Sequence, residues 1–230
     1  EQGEVRVGVT YTVAGYFLPQ YLTRFTRAHP HVTVRLNEAP RAVIEEDLVA
    51  GRLDTAVILT ANIEDTHNLD RETLIRSRRR LWTAADHPLQ AAETVALADI
   101  ANEPYVMLTV DEAERTAERY WRAAGCQPRV IFRTSSVEAV RSMVASGTGV
   151  TVLSDMVYRP WSLDGQRIET RLVVDPIASM DVGLAWVRGR PLPGPARAFN
   201  EFMSLTFNGG AHALSEVSCR SKAGVEGSTP

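Results

Sequence analysis

Of 230 residues only two are cysteine, Cys126 and Cys219, and they stand far apart. That excludes a disulfide scaffold and the closely spaced thiols of a zinc or redox motif. The five histidines are scattered, with no H-x-x-x-H or similar cluster, so no metal site is expected. No apolar run approaches the roughly 20 residues that cross a bilayer, so no membrane segment is expected either. Positive charge is not in excess: 25 Lys and Arg stand against 28 Asp and Glu, a net −3. Such a balance offers no electrostatic footprint for nucleic acid. The marks of catalysis are missing too. There is no G-x-S-x-G elbow, and "AVIEEDL" sets its carboxylates on a polar helix face without a basic partner. No nucleophile stands at readable spacing from a base, so no catalytic residue is assigned and no cofactor is expected. The chain opens on "EQGEVRVGV", without an initiator Met or a secretion signal, and reads as an excised fragment or a mature exported protein.

What remains is an ordinary globular composition, 44% hydrophobic and 23% charged, long enough to bury a sizeable core. The first segment reads strand, helix, strand, helix, strand. "VRVGV" alternates. "YFLPQYLTRFTRAHP" carries Leu18, Leu22 and Phe25 as a helical stripe and must stop before Pro30. "VTVRL" and "TAVIL" are strands, separated by the helix "AVIEEDLVAG". A second series follows, with "YVMLTV", "RVIFRT" and "VTVLSD" as strands and "DEAERTAERYWRAAG" as a helix. Asp111 and Glu114 give that helix a start resembling a capping box. This alternation implies parallel sheets with helices on their faces, and ligands bind such sheets at the C-terminal edges of the strands. "PLPGPARAFNEFMSL" closes the chain as a helix, and residues 208–230 read as a flexible tail or an expression remnant.

The stretch "TSSVEAVRSMVASGTGVTVLSD" has a G-x-G, but its glycines follow the helix rather than precede it. In a phosphate loop they come first, so that the helix N–H groups face the anion. Gly147 instead suits a helix stop, and Ser135 with Glu138 suits a helix start. Ser135 and Ser136 stand at the positive end of that helix and either bind a carboxylate or sulfate there or merely cap it.

Taken together, several phrases resemble the effector-binding region of LysR-type transcriptional regulators, over roughly residues 3–207. They are "GEVRVGVTYTVAGYFLPQYLTRFTRAHPHVTVRLNEA", "LVAGRLDTAVIL", "HPL" with "VALADIANEPYVML", the 134–155 stretch, and "GLAWVRGRPLPGPARAFNEFM". The resemblance implies an α/β, two-lobed, type 2 periplasmic-binding-protein-like fold, each lobe a mostly parallel sheet flanked by helices. Lobe one would hold residues 1–76 plus 177–207, and lobe two residues 77–176. Complete members also carry an N-terminal winged helix-turn-helix, so DNA would be met only through that absent domain. In the family a small molecule in the interlobe cleft alters how protomers pair, and a cytoplasmic homodimer or higher homo-oligomer is expected. Tyr21 and Phe25 make the first long helix, 17–28, a candidate interface. The alternative function is a solute-binding protein of an uptake system, which shares the bilobal fold.

Physics supplies the candidate ligand residues. Thr10 and Thr12 follow the first strand and face a helix N-terminus, as Ser135 and Ser136 do in lobe two. Two hydroxyl-bearing helix ends could share one small organic acid or other anionic effector. Thr60 and Thr109 end strands and would line the same crevice. Tyr11 is an aromatic wall or a lobe-surface residue. Arg41 is a bidentate carboxylate partner or a surface residue. The run "RSRRR" either neutralises an acidic effector or is the solvated face of a crossover strand.

Overall fold

The computed structural model describes residues 1–220, with side chains placed through Asn208. Its first sheet has the order β2-β1-β3-β10-β4. Strand β1 (Gly3–Val9) runs parallel to β2 (Val32–Glu38) and to β3 (Thr55–Leu59). Strand β10 (Met180–Val187) lies antiparallel between β3 and β4 (Leu69–Ser77). All five residues of β3 are buried, as a continuous "TAVIL" run requires of a strand covered on both faces. One face is covered by α2 (Leu18–Ala28) and α7 (Gly194–Arg220), the other by α3 (Arg41–Val49).

The second lobe is built on β5 (Arg79–Ala84), antiparallel to β8 (Thr151–Ser154) and β9 (Ile168–Arg171). Beside them β6 (Pro104–Leu108) runs parallel to β7 (Arg129–Thr134). Val150 stitches the two ribbons together. Its carbonyl accepts from Val106 N–H at 2.9 Å and its N–H donates to the Pro104 carbonyl at 2.8 Å. Two glycines make this possible. Gly147 takes φ +78° and ends α6 (Val137–Ala145). A Cβ on Gly149 would lie 2.8 Å from the Pro104 carbonyl oxygen. The G-x-G is thus a helix stop followed by a close strand approach.

Two local expectations are corrected. The helix expected over 17–28 is α2, and a shorter helix, α1 (Tyr11–Tyr16), precedes it across a break at Phe17 with φ −120° and ψ −60°. Pro19 explains the break, since it has no N–H to donate back one turn and its ring crowds the carbonyl there. Tyr21 and Phe25 do not form a surface. Phe25 is fully buried against Phe199 and Phe202, and Tyr21 packs on Phe17 and Phe207. The closing helix continues past Phe207 to Arg220 through "AHALSE", a run of mostly good helix formers. The remainder of the expected tail, 221–230, lies outside the described residues. No helix among them is long and apolar enough to cross a membrane.

Two glycine substitutions should act in opposite directions. Gly15 lies exposed in α1 with nothing within 4 Å of an added Cβ, so Gly15→Ala should raise unfolding free energy by about 0.5–1 kcal/mol. Gly149→Ala should lower it by about 1–3 kcal/mol, because backbone must shift. Urea denaturation of both variants checks this; equal effects would contradict the packing described for Gly149.

Candidate functional site

A cavity of 380 Å³ opens between the lobes. From lobe one it takes Thr10 and Tyr11 at the start of α1, Glu38 to Ala42 before and within α3, and Asn62 beyond β3. From lobe two it takes Val110, Asp111 and Glu112, the short turn that follows β6. The cavity therefore lies outside the carboxyl ends of β1, β2, β3 and β6, where an open α/β sheet leaves a crevice.

Of the candidate residues, this cavity gathers Thr10, Tyr11 and Arg41. Thr10 is only 3% exposed, and its hydroxyl is among the buried polar atoms without a hydrogen-bond partner. Tyr11 is 42% exposed. Thr12 is buried beside the cavity; its N–H and hydroxyl both donate to Asp111 Oδ2, at 2.7 and 2.5 Å. The other four stand elsewhere. The Thr60 hydroxyl is buried within lobe one, 2.9 Å from that of Thr73 and 3.4 Å from the Asp181 carbonyl. Thr109 closes β6 with its N–H on the Thr134 carbonyl at 2.9 Å. Ser136, not Ser135, is the N-cap of α6 and accepts from Ala139 N–H at 3.1 Å. Ser135 is exposed. Glu138 does not close a capping box but accepts from the Tyr16 hydroxyl of lobe one at 3.0 Å.

Arg41 is the electrostatic centre of the site. Its guanidinium meets Glu112 through Nε at 3.1 Å and Nη2 at 2.9 Å, Glu45 at 3.0 Å, and Glu64 at 3.2 Å. Its side chain is 10% exposed. The hydrogen bonds that Arg41 donates to Glu112 raise its pKa further above the usual value, with Glu45 adding to the effect against the opposing pull of burial. Glu45 is itself buried and accepts from Glu64 N–H at 2.9 Å. Arg115 of lobe two reaches Glu64 of lobe one at 2.8 Å, so a second ion pair crosses the junction.

The residues that sequence reasoning missed are Asp111 and Glu112, read there as a helix start. Both adopt left-handed backbone, φ 52° and 61°, and α5 (Ala113–Ala123) begins only after them. The helix start fails because the Asp111 carboxylate is engaged by the free N–H at the head of α1. The available signal was positional, since "TVDE" follows β6 as "TYT" follows β1. Chemically, the site shows two places that accept a carboxylate, the head of α1 and the Arg41 fork, each filled by lobe two. It also shows one buried hydroxyl with nothing to bond.

A family profile described as the LysR substrate binding domain matches residues 1–206. An HTH-type transcriptional regulator, YybE of Bacillus subtilis, is 26% identical over 90% of this chain and 70% of its own length. The chain spans as little as half the length of other relatives it matches. The C-terminal domain of a probable LysR family transcriptional regulator from Rhodococcus sp. RHA1 superposes with a TM-score of 0.82. It is 28% identical over 89% of this chain and all of that one. The BenM effector binding domain with its effector benzoate has the same fold, with a TM-score of 0.76 at 19% identity over 90% of this chain and 93% of that one.

The ion cluster makes two predictions. Arg41→Met strands the buried Glu45 and the Glu112 carboxylate, and should lower unfolding free energy by about 3–5 kcal/mol. Arg35→Met removes an exposed pair with Glu4 and should change it by less than about 1 kcal/mol. Chemical denaturation of both decides whether the cluster carries this weight. Separately, the hydrogen bond from Arg115 and then the charge of Arg41 hold the Glu64 carboxyl below its ordinary value. A depressed carboxylate stabilises fully above its unfolded pKa and stops doing so as pH falls through its lower folded pKa. A carbon-13 NMR titration should find Glu64 titrating below an ordinary glutamate, and Arg115→Gln should move it back up.

Proposed function

Because the chain belongs to the family of LysR substrate binding domains, we propose that it is the effector-sensing region of a bacterial LysR-type transcriptional regulator. A small molecule enters the cleft between the lobes, changes how they meet, and through that changes the pairing of protomers and transcription. DNA contact belongs to a winged helix-turn-helix outside these residues, and the working form is a cytoplasmic homodimer or higher homo-oligomer. The family and the neighbouring structures are transcriptional regulators, which favours sensing over solute uptake on the same fold.

The observation that carries this reading is the orphaned Thr10 hydroxyl at a 380 Å³ cavity whose walls come from both lobes. A buried donor without a partner costs about 1–3 kcal/mol, and a ligand in the cavity removes that cost. The effector is a small organic acid or other anion. Support comes from the chain itself, since the head of α1 and Arg41 already hold carboxylates, those of Asp111 and Glu112. Benzoate, the effector of the BenM domain, carries the same group. An incoming acid takes the place of one of these side chains, with Thr10 as a further donor. Thr12, Tyr11 and Arg41 complete its surroundings. Ser135, Ser136, Thr60 and Thr109 would join them only in another arrangement of the lobes.

A thermal-shift screen against benzoate, shikimate and related carboxylates tests the reading. A ligand at a hundred times its dissociation constant adds about 2.7 kcal/mol, or roughly 5–10 °C for a chain of this size. Thr10→Ala should weaken the hit by about tenfold, the loss of one charged hydrogen bond. Asp111→Asn should strengthen it, by weakening the internal competitor. A hit that prefers amines, or that Asp111→Asn abolishes, would refute the acid reading. A hit indifferent to Thr10→Ala would take the ligand out of this cleft.

A further inference from the structure

Near the lobe junction Arg79, unlike Arg41, has no carboxylate partner among the described residues. Within "RSRRR", Arg76 is exposed and 3.7 Å from Asp181, and Arg80 pairs with Asp155 at 3.0 Å. Arg79, the first residue of β5, turns the other way and is only partly exposed. Its one hydrogen bond among the described residues runs from Nη1 to the Ala178 carbonyl, and none of their carboxylates lies within ion-pairing reach. A guanidinium has five N–H donors in a fixed fork. Removing a charge from water without a counter-ion is costly, so a group left this way is poised to take one. Burial holds its pKa below the ordinary arginine value, with Tyr120 and Asp181 pulling the other way.

Arg79 opens onto a second cavity, of 260 Å³, which also takes Asn62, Thr116, Arg119, Ser179 and Asp181. Its ionic lining is two guanidiniums against one carboxylate. That carboxylate is already occupied, by the Ser179 hydroxyl at 2.6 Å and by Arg76. The first cavity has the opposite balance, with Glu38, Asp111 and Glu112 against Arg41. An anion is therefore better matched to the second cavity as the lobes stand. We propose that this cavity is a second ligand site, taking a small oxyanion such as inorganic phosphate, sulfate or a short carboxylate. Arg79 provides the bidentate fork, Arg119 the outer charge and Thr116 a hydroxyl donor. The lining draws on lobe one through Asn62, on lobe two through α5, and on the returning segment through Ser179. An ion held there braces the two lobes at the angle seen. This site does not rest on the acid-effector reading of the first cavity.

Calorimetric titration of the whole chain with phosphate, sulfate and acetate, at ionic strength balanced with chloride, tests the proposal. The wild type should bind at least one of them saturably, and the three arms separate a tetrahedral from a carboxylate preference. Arg79→Gln should weaken binding by about tenfold or more, the loss of a charge-assisted fork. Arg119 is exposed, so Arg119→Gln remains a folded test if the first variant is not, and it should weaken binding severalfold. Absence of saturable binding by the wild type overturns the proposal, as does binding that Arg119→Gln leaves unchanged. Loss of binding in Thr10→Ala would place the ion in the first cavity and overturn it too. Phosphate binding through Arg79 with no acid bound at Thr10 would leave this site standing and remove only the effector reading.

Discussion

The relation between the lobes depends on one strained corner. Asp111 and Glu112 both sit in left-handed backbone, a conformation that costs a non-glycine residue roughly 1–2 kcal/mol. What holds them there is the pair of charge-assisted contacts they make on the far lobe, Asp111 with the head of α1 and Glu112 with the Arg41 fork. Such bonds are about twice as strong as neutral ones. Neither contact survives if the corner relaxes, because a helical Asp111 would turn its carboxylate towards its own α5. The segment "DEAE" thus suits two structures. It can cap its own helix or bridge the lobes, and the difference between the two is a few interactions.

That near balance is what a sensing domain needs. A ligand shifts an equilibrium only by its differential affinity for the two states, and regulatory couplings are typically about 1–3 kcal/mol. On the proposed reading, replacing one internal carboxylate by a ligand's, and bonding the unpaired Thr10 hydroxyl, would be a change of that size. A looser junction, without Glu112, would leave Arg41 to Glu45 and Glu64 and give the lobes little reason to meet here.

Much of the fold was legible because its signals are local. The alternation of β1, the buried run of β3, Gly147 as a helix stop and the apolar stripe of α2 each follow from a few neighbouring residues. The family phrases then supplied the two lobes. What sequence alone could not give was the choice between local and distant partners. Asp111 with Glu114 and Ser135 with Glu138 both have capping-box spacing, yet neither box forms. In each case a carboxylate found a better donor on the other lobe, Thr12 for Asp111 and Tyr16 for Glu138. Likewise Thr60 ends its strand as expected, but the sheet curls Thr73 within reach of its hydroxyl. Of the eight candidate ligand residues, the three that the cavity gathers follow the ends of β1 and β2.

The arginine run shows how a legible signal can be read at the wrong scale. "RSRRR" looks like undifferentiated charge if only composition is weighed, but it lies on the two strands that carry the chain between lobes. A strand sends alternate side chains to opposite faces. Arg76 and Ser77 therefore face opposite ways at the end of β4, as Arg79 and Arg80 do at the start of β5, and only Arg78 separates the two strands. At the end of β4 the Ser77 hydroxyl accepts from Ser154 at 2.6 Å and from Met156 N–H at 2.9 Å, which ties this crossing to lobe two. Arg76 and Arg78 are exposed, whereas Arg79 and Arg80 are only partly so, and of these two Arg80 has its carboxylate in Asp155. Charge that a fold turns inward at a hinge, without pairing it, is the feature that composition cannot see.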